Sequence, residues 1–169
     1  MRTARVAFCI AAGTAFWAFA PIAQAQMGGG MGMQSTPQQQ DPTIPYRAGV
    51  AAFNAGDFAE AIRQLRTARR ALPSDGNINY ALGLAYDASG DKDEARQAFQ
   101  RAIRASNAPI PARLRLGLVS LELGDRETAA AQQTALQHMI STCDAACGDA
   151  RRGQMQAALD QLTRALAPS

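Results

Sequence analysis

Three stretches of this chain carry one pattern at a fixed interval of 34 residues, with no inserted gap. Gly49, Gly83 and Gly117 align, as do Gly56, Gly90 and Gly124, then Asp57, Asp91 and Asp125, then Ala61, Ala95 and Ala129. Ala68 and Ala102 add a fifth column in the first two copies. A period this regular constrains the fold more than composition does. Each copy is one supersecondary unit too small to bury its own apolar face, so copies must stack and share a core. Within a copy the spacing reads as helix, tight turn, helix. Glycine inside a helix costs about 1 kcal/mol relative to alanine, so Gly49, Gly83 and Gly117 make sense where another helix comes too close for a side chain. The Gly-Asp pairs join a residue able to end a helix at positive φ to a carboxylate able to cap the next one. Ala61, Ala95 and Ala129 keep the helix crossing tight, with Leu65 and Phe99 filling the space beside them. Pro73, Pro109 and Pro111 punctuate the exits between copies.

This arrangement resembles the tetratricopeptide repeat. The resemblance implies an all-α solenoid of three helix-turn-helix repeats, at 42–75, 76–109 and 110–143, followed by a capping helix and tail over 144–169. Met155, Leu159, Leu162 and Leu166 form one helical stripe in that last segment, as a terminal cap requires. The third copy departs furthest from the pattern. Gln133 stands where Leu65 and Phe99 do, and Leu136 where Ala68 and Ala102 do, so its second helix is expected to pack in a shifted way. The large aromatic residue that opens such units is replaced by Pro45, Asn79 and Arg113, while Tyr46 and Tyr80 follow one residue later. Where the second copy has Tyr86, the others have Ala52 and Ser120.

Members of this family hold a peptide or a partner helix in a concave groove lined by the first helix of each unit. The resemblance places Tyr46, Val50, Phe53, Tyr80, Leu84, Asp87, Leu114, Arg115, Leu118 and Glu122 on that surface. The implied function is non-catalytic protein binding by a mostly apolar strip. Binding of chaperone tails is not expected. Of the lysine, asparagine and arginine set with which cytosolic co-chaperones of the family clamp a carboxylate, only Arg115 is present. Tyr46, Val50, Ala81 and Pro111 occupy the other columns.

The N-terminus adds a location. Arg2 and Arg5, an apolar run over Val6 to Ala20, and Ala23-Gln24-Ala25 read as a secretory signal peptide over 1–25, cleaved after Ala25. The expected product is exported, periplasmic or secreted, and meets a membrane only through a partner. Cleavage would leave 15 cationic against 14 anionic side chains, lowering the net charge from +3 to +1. That near-neutral balance argues against nucleic acid as a partner, and Arg63, Arg66, Arg69 and Arg70 read as a solvated helix face. Residues 26–41, rich in Gly, Met, Gln and Pro, are expected to be a disordered tether. Cys9 leaves with the leader, and Cys143 and Cys147 form an even pair that oxidising surroundings would bond.

Two other readings come from different chemistry. Met27, Met31 and Met33 supply soft thioether sulfur suited to copper(I), and His138 with reduced Cys143 and Cys147 would make a second soft site. The CxxxC pair would alternatively exchange thiols, although thioredoxin-like chemistry uses CxxC in a βαβ setting. No enzyme is expected, and no cofactor. His138 is the only histidine, and the chain has no HExxH, GxSxG or phosphate-cradling glycine loop.

Overall fold

The computed structural model describes residues 41–144 and 147–167. The leader, the tether up to Gln40 and the methionine cluster lie outside the described residues. Within them the chain forms seven helices and no strand: α1 (Thr43–Asn54), α2 (Phe58–Ala71), α3 (Gly76–Ser89), α4 (Lys92–Arg104), α5 (Pro111–Glu122), α6 (Arg126–Ser141) and α7 (Asp149–Leu166). The first six make three antiparallel pairs. The Gly-Asp dipeptides end the first helix of each pair and start the second. Gly56, Gly90 and Gly124 sit at φ of 80°, 91° and 79°. The following aspartate N–H groups donate back to Ala52, Tyr86 and Ser120 carbonyls at 2.9, 2.9 and 2.8 Å. This is the glycine-terminated helix end in which a 6→1 bond satisfies an otherwise orphaned carbonyl.

The carboxylates then cap, with one exception. Asp57 and Asp125 accept from the backbone N–H of Glu60 and Thr128, each at 2.9 Å. The Asp91 side chain makes no such bond to α4. It accepts instead from the Ser89 hydroxyl at 3.1 Å, since only the second copy has serine before its Gly-Asp. Between pairs, the linkers are tied to one another. Asn107 accepts from the Gly76 N–H at 2.7 Å and donates to Asp75 at 2.9 Å, joining the exit of the second pair to that of the first. Fully buried Asn79 donates to the Pro73 and Asp75 carbonyls. An amide that organises the linker thus stands in the column where a large aromatic residue was absent.

The core runs along the stack. Ala61, Leu65, Leu82, Ala85, Tyr86, Ala95, Ala98, Phe99, Leu116 and Val119 make one buried cluster through the first two pairs and into α5. The mid-helix glycines show why they are needed. A Cβ on Gly49 would lie 2.6 Å from Leu65 Cγ, and one on Gly83 would lie 2.5 Å from the Phe99 ring. On Gly117 it would lie 2.7 Å from Leu162 Cδ1, a side chain of α7 rather than α6. The shift expected of the third copy therefore takes a definite form. Gln133 leaves the slot beside Gly117 without an apolar occupant, and α7 supplies one. Gln133 itself donates to the Thr163 hydroxyl of α7 at 2.8 Å. The α7 stripe then builds a second core from Leu114, Leu136, Ala158 and Leu162, flanked by Leu118, Leu121, Leu159 and Leu166. Arg126 donates to the Leu166 carbonyl at 2.6 Å and so fixes the far end of α7. At the near end Cys143 and Cys147 are joined by a disulfide, and Arg152 donates to the Cys143 carbonyl.

Candidate functional site

Five of the residues placed on the groove by sequence come together around one open cavity. Tyr46, Val50 and Phe53 of α1 face Tyr80 and Leu84 of α3, with Asn54, Leu65 and Ala81 completing a space of about 240 Å³. The repeat geometry makes this so. Residues three and four apart share a helix face, and the close approach permitted by Gly49 brings Leu65 of α2 up as the floor. Two aromatic contacts stiffen the walls: Phe53 lies 5.7 Å from Phe58 and Tyr80 lies 5.9 Å from Phe99, both tilted. The polar groups are few, so the cavity offers apolar contact at little desolvation cost.

The two carboxylates form a different feature. Lys92 Nζ stands 2.6 Å from Asp87 Oδ1 and 2.6 Å from Glu122 Oε2, linking α3, α4 and α5. Hydrogen bonding to Asp87, then to Glu122, raises the lysine above its ordinary pKa, so it stays charged. Lys92 was not foreseen as part of the surface. Its partners sit on other helices, and no local spacing signals them.

The third pair is partly covered. Leu114 is buried, and both it and Leu118 pack against the α7 stripe. Arg115 is exposed on α5 and makes no ion pair among the described residues. The candidate surface is thus an apolar cavity between the first two pairs, a charged step beside it and a third segment partly covered by α7. Elsewhere, Arg63 of the α2 basic face pairs with Glu60 at 2.6 Å. His138 is exposed in the last turn of α6. Among the described residues no group of three His, Cys, Asp or Glu is placed to hold a metal ion. Nor is any helix there long and apolar enough to cross a membrane.

Residues 46–109 match the model of the tetratricopeptide repeat. That segment carries the tetratricopeptide repeat. Solved structures agree with the fold of the repeat array. The fragment of MamA from residue 41 onward, from Desulfovibrio magneticus RS-1, superposes with a TM-score of 0.58 at 25% identity, over 64% of this chain and 61% of that one. The repeat protein thus spans about three fifths of that fragment. The TPR domain of Arabidopsis OM64 gives 0.56 at 17% identity, over 73% of this chain and 94% of the other. PcrH, solved in complex with the chaperone binding region of PopD, gives 0.59 at 17%, over 74% and 92%. Among curated proteins none matches the sequence. The repeat fold and its neighbours fit a protein-interaction scaffold, a class that is typically non-catalytic.

Proposed function

We propose that this repeat protein is a non-catalytic scaffold of the cell envelope, exported by its 1–25 leader, which holds a partner helix or peptide between its first two helix pairs. The cavity bounded by Tyr46, Val50, Phe53, Tyr80 and Leu84 carries the proposal, because it leaves apolar side chains of two repeats facing an open space. The PcrH structure supports it by analogy, in that a protein of similar fold holds a segment of its partner. The location rests on the leader, and the disulfide at the foot of α7 is in keeping with an oxidising compartment.

Replacing Tyr80 and Leu84 together with alanine is expected to abolish capture of the partner from envelope extract while far-UV circular dichroism stays nearly unchanged. Equal capture by the variant would remove the cavity from the site. The same preparation should begin at Gln26 by N-terminal sequencing, and recovery of the chain from the cytosol with Met1 in place would overturn the location.

A further inference from the structure

We infer that the partner is an amphipathic helix carrying a large apolar side chain and, one turn away, a lysine or arginine. This rests on the scaffold reading and specifies the chemistry of its ligand. Size fixes the first element. A cavity of about 150 Å³ with aliphatic and aromatic walls already takes a benzene molecule, and the present one, at about 240 Å³, has room for a leucine, methionine or phenylalanine side chain.

Charge fixes the second. Leu84 lines the cavity, and Asp87 follows it three residues later on α3. That separation is about 4.5 Å along the helix axis, close to one turn of a docked helix and shorter than the two-residue step of an extended strand. At that level one ammonium serves two carboxylates. Lys92 engages Asp87 Oδ1 and Glu122 Oε2, leaving one net negative charge, with Asp87 Oδ2 and Glu122 Oε1 not engaged by the lysine. Glu122 is half exposed, with 52% of its side chain in solvent. A second cation would complete a two-by-two arrangement of charges, whereas an acidic partner would meet uncompensated repulsion. In the third pair α7 packs on Leu114 and Leu118 and narrows the surface there. The first two pairs and the lysine bridge thus offer one apolar position and one charged position.

The probe is a displayed library of helical peptides of about 16 residues, selected against the full chain and against two variants. Against the unaltered protein, the selected pool should show Leu, Met or Phe at one position and Lys or Arg three or four residues later. Asp87→Asn with Glu122→Gln should keep the apolar preference, erase the cationic one and weaken the best peptide about fivefold at low salt. Leu84→Asp should select none of these peptides. A pool that depends on Leu84 but shows no cation preference would refute the inference and leave the scaffold reading standing. A pool bound equally by Leu84→Asp, or no pool at all, would overturn both.

Discussion

If α7 completes the third repeat by placing Leu162 against Gly117, the two positions must be energetically coupled although they lie on different helices. Leu162 is fully buried, and its two terminal carbons lie 2.7 and 2.9 Å from where a Gly117 Cβ would stand. Leu162→Ala removes a buried side chain and leaves a void, at about 3 kcal/mol. Gly117→Ala alone overpacks the contact by about 2 kcal/mol, offset by about 1 kcal/mol of helix propensity, for a net cost of about 1 kcal/mol. In the double variant the new methyl enters the vacated space. Its burial returns about 0.8 kcal/mol, and the propensity gain of about 1 kcal/mol is no longer opposed. The double variant should therefore cost about 3 kcal/mol less than the sum of the singles. Gly117→Ala combined with Gln133→Ala should be additive within about 0.5 kcal/mol, because Gln133 does not fill the slot. Urea unfolding of the full chain, followed by far-UV circular dichroism, measures all five. Additivity at Gly117 and Leu162, or coupling to Gln133 instead, would refute the assignment of α7 to that slot.

Two further outcomes follow from polar groups in the repeats. The Asp125 carboxyl is held below the ordinary carboxylate range by hydrogen bonds from the Thr128 hydroxyl and then from its backbone N–H. Its contribution is fully present above the ordinary value and is lost as pH falls through the lowered folded value. Asp125→Asn, which caps without titrating, should therefore flatten the acid limb of a stability profile, and an unaltered limb would deny the cap that role. Ser120 is fully buried, and its hydroxyl has no hydrogen-bond partner among the described residues. Ser120→Ala should raise stability by about 1 kcal/mol, read from the urea midpoint, and a lowered midpoint would mean that the hydroxyl is satisfied.

What the sequence disclosed was local. Gly56, Gly90 and Gly124 are legible because positive φ at a helix end is a property of one residue and its neighbours, and the mid-helix glycines because their cost demands a close contact. The identity of that contact is legible only while it keeps the repeat period, as Leu65 and Phe99 do. Gln133 announced that the third slot lacked its usual occupant, but nothing near it named Leu162, which lies 29 residues further on. The groove was legible in the same partial way. Its residues could be aligned by column, yet the docking of α7 on Leu114 and Leu118 and the bridge through Lys92 depend on packing between helices distant in sequence. Asp91 shows the limit within a column, since one serine two positions earlier diverts a carboxylate that its two counterparts use as a cap.

The docking of α7 also makes the array polar in its stability. Each unit of such a stack is held by its neighbours, and α7 gives the third pair a helix on its outer side. Among the described residues α1 and α2 have a neighbour on one side alone. Opening is therefore expected to begin at the first pair, and Tyr46, Val50 and Phe53, one wall of the cavity, belong to it. A ligand seated there would splint that pair, so that occupancy is expected to register as slowed amide exchange in α1 while the α7 end stays as it was.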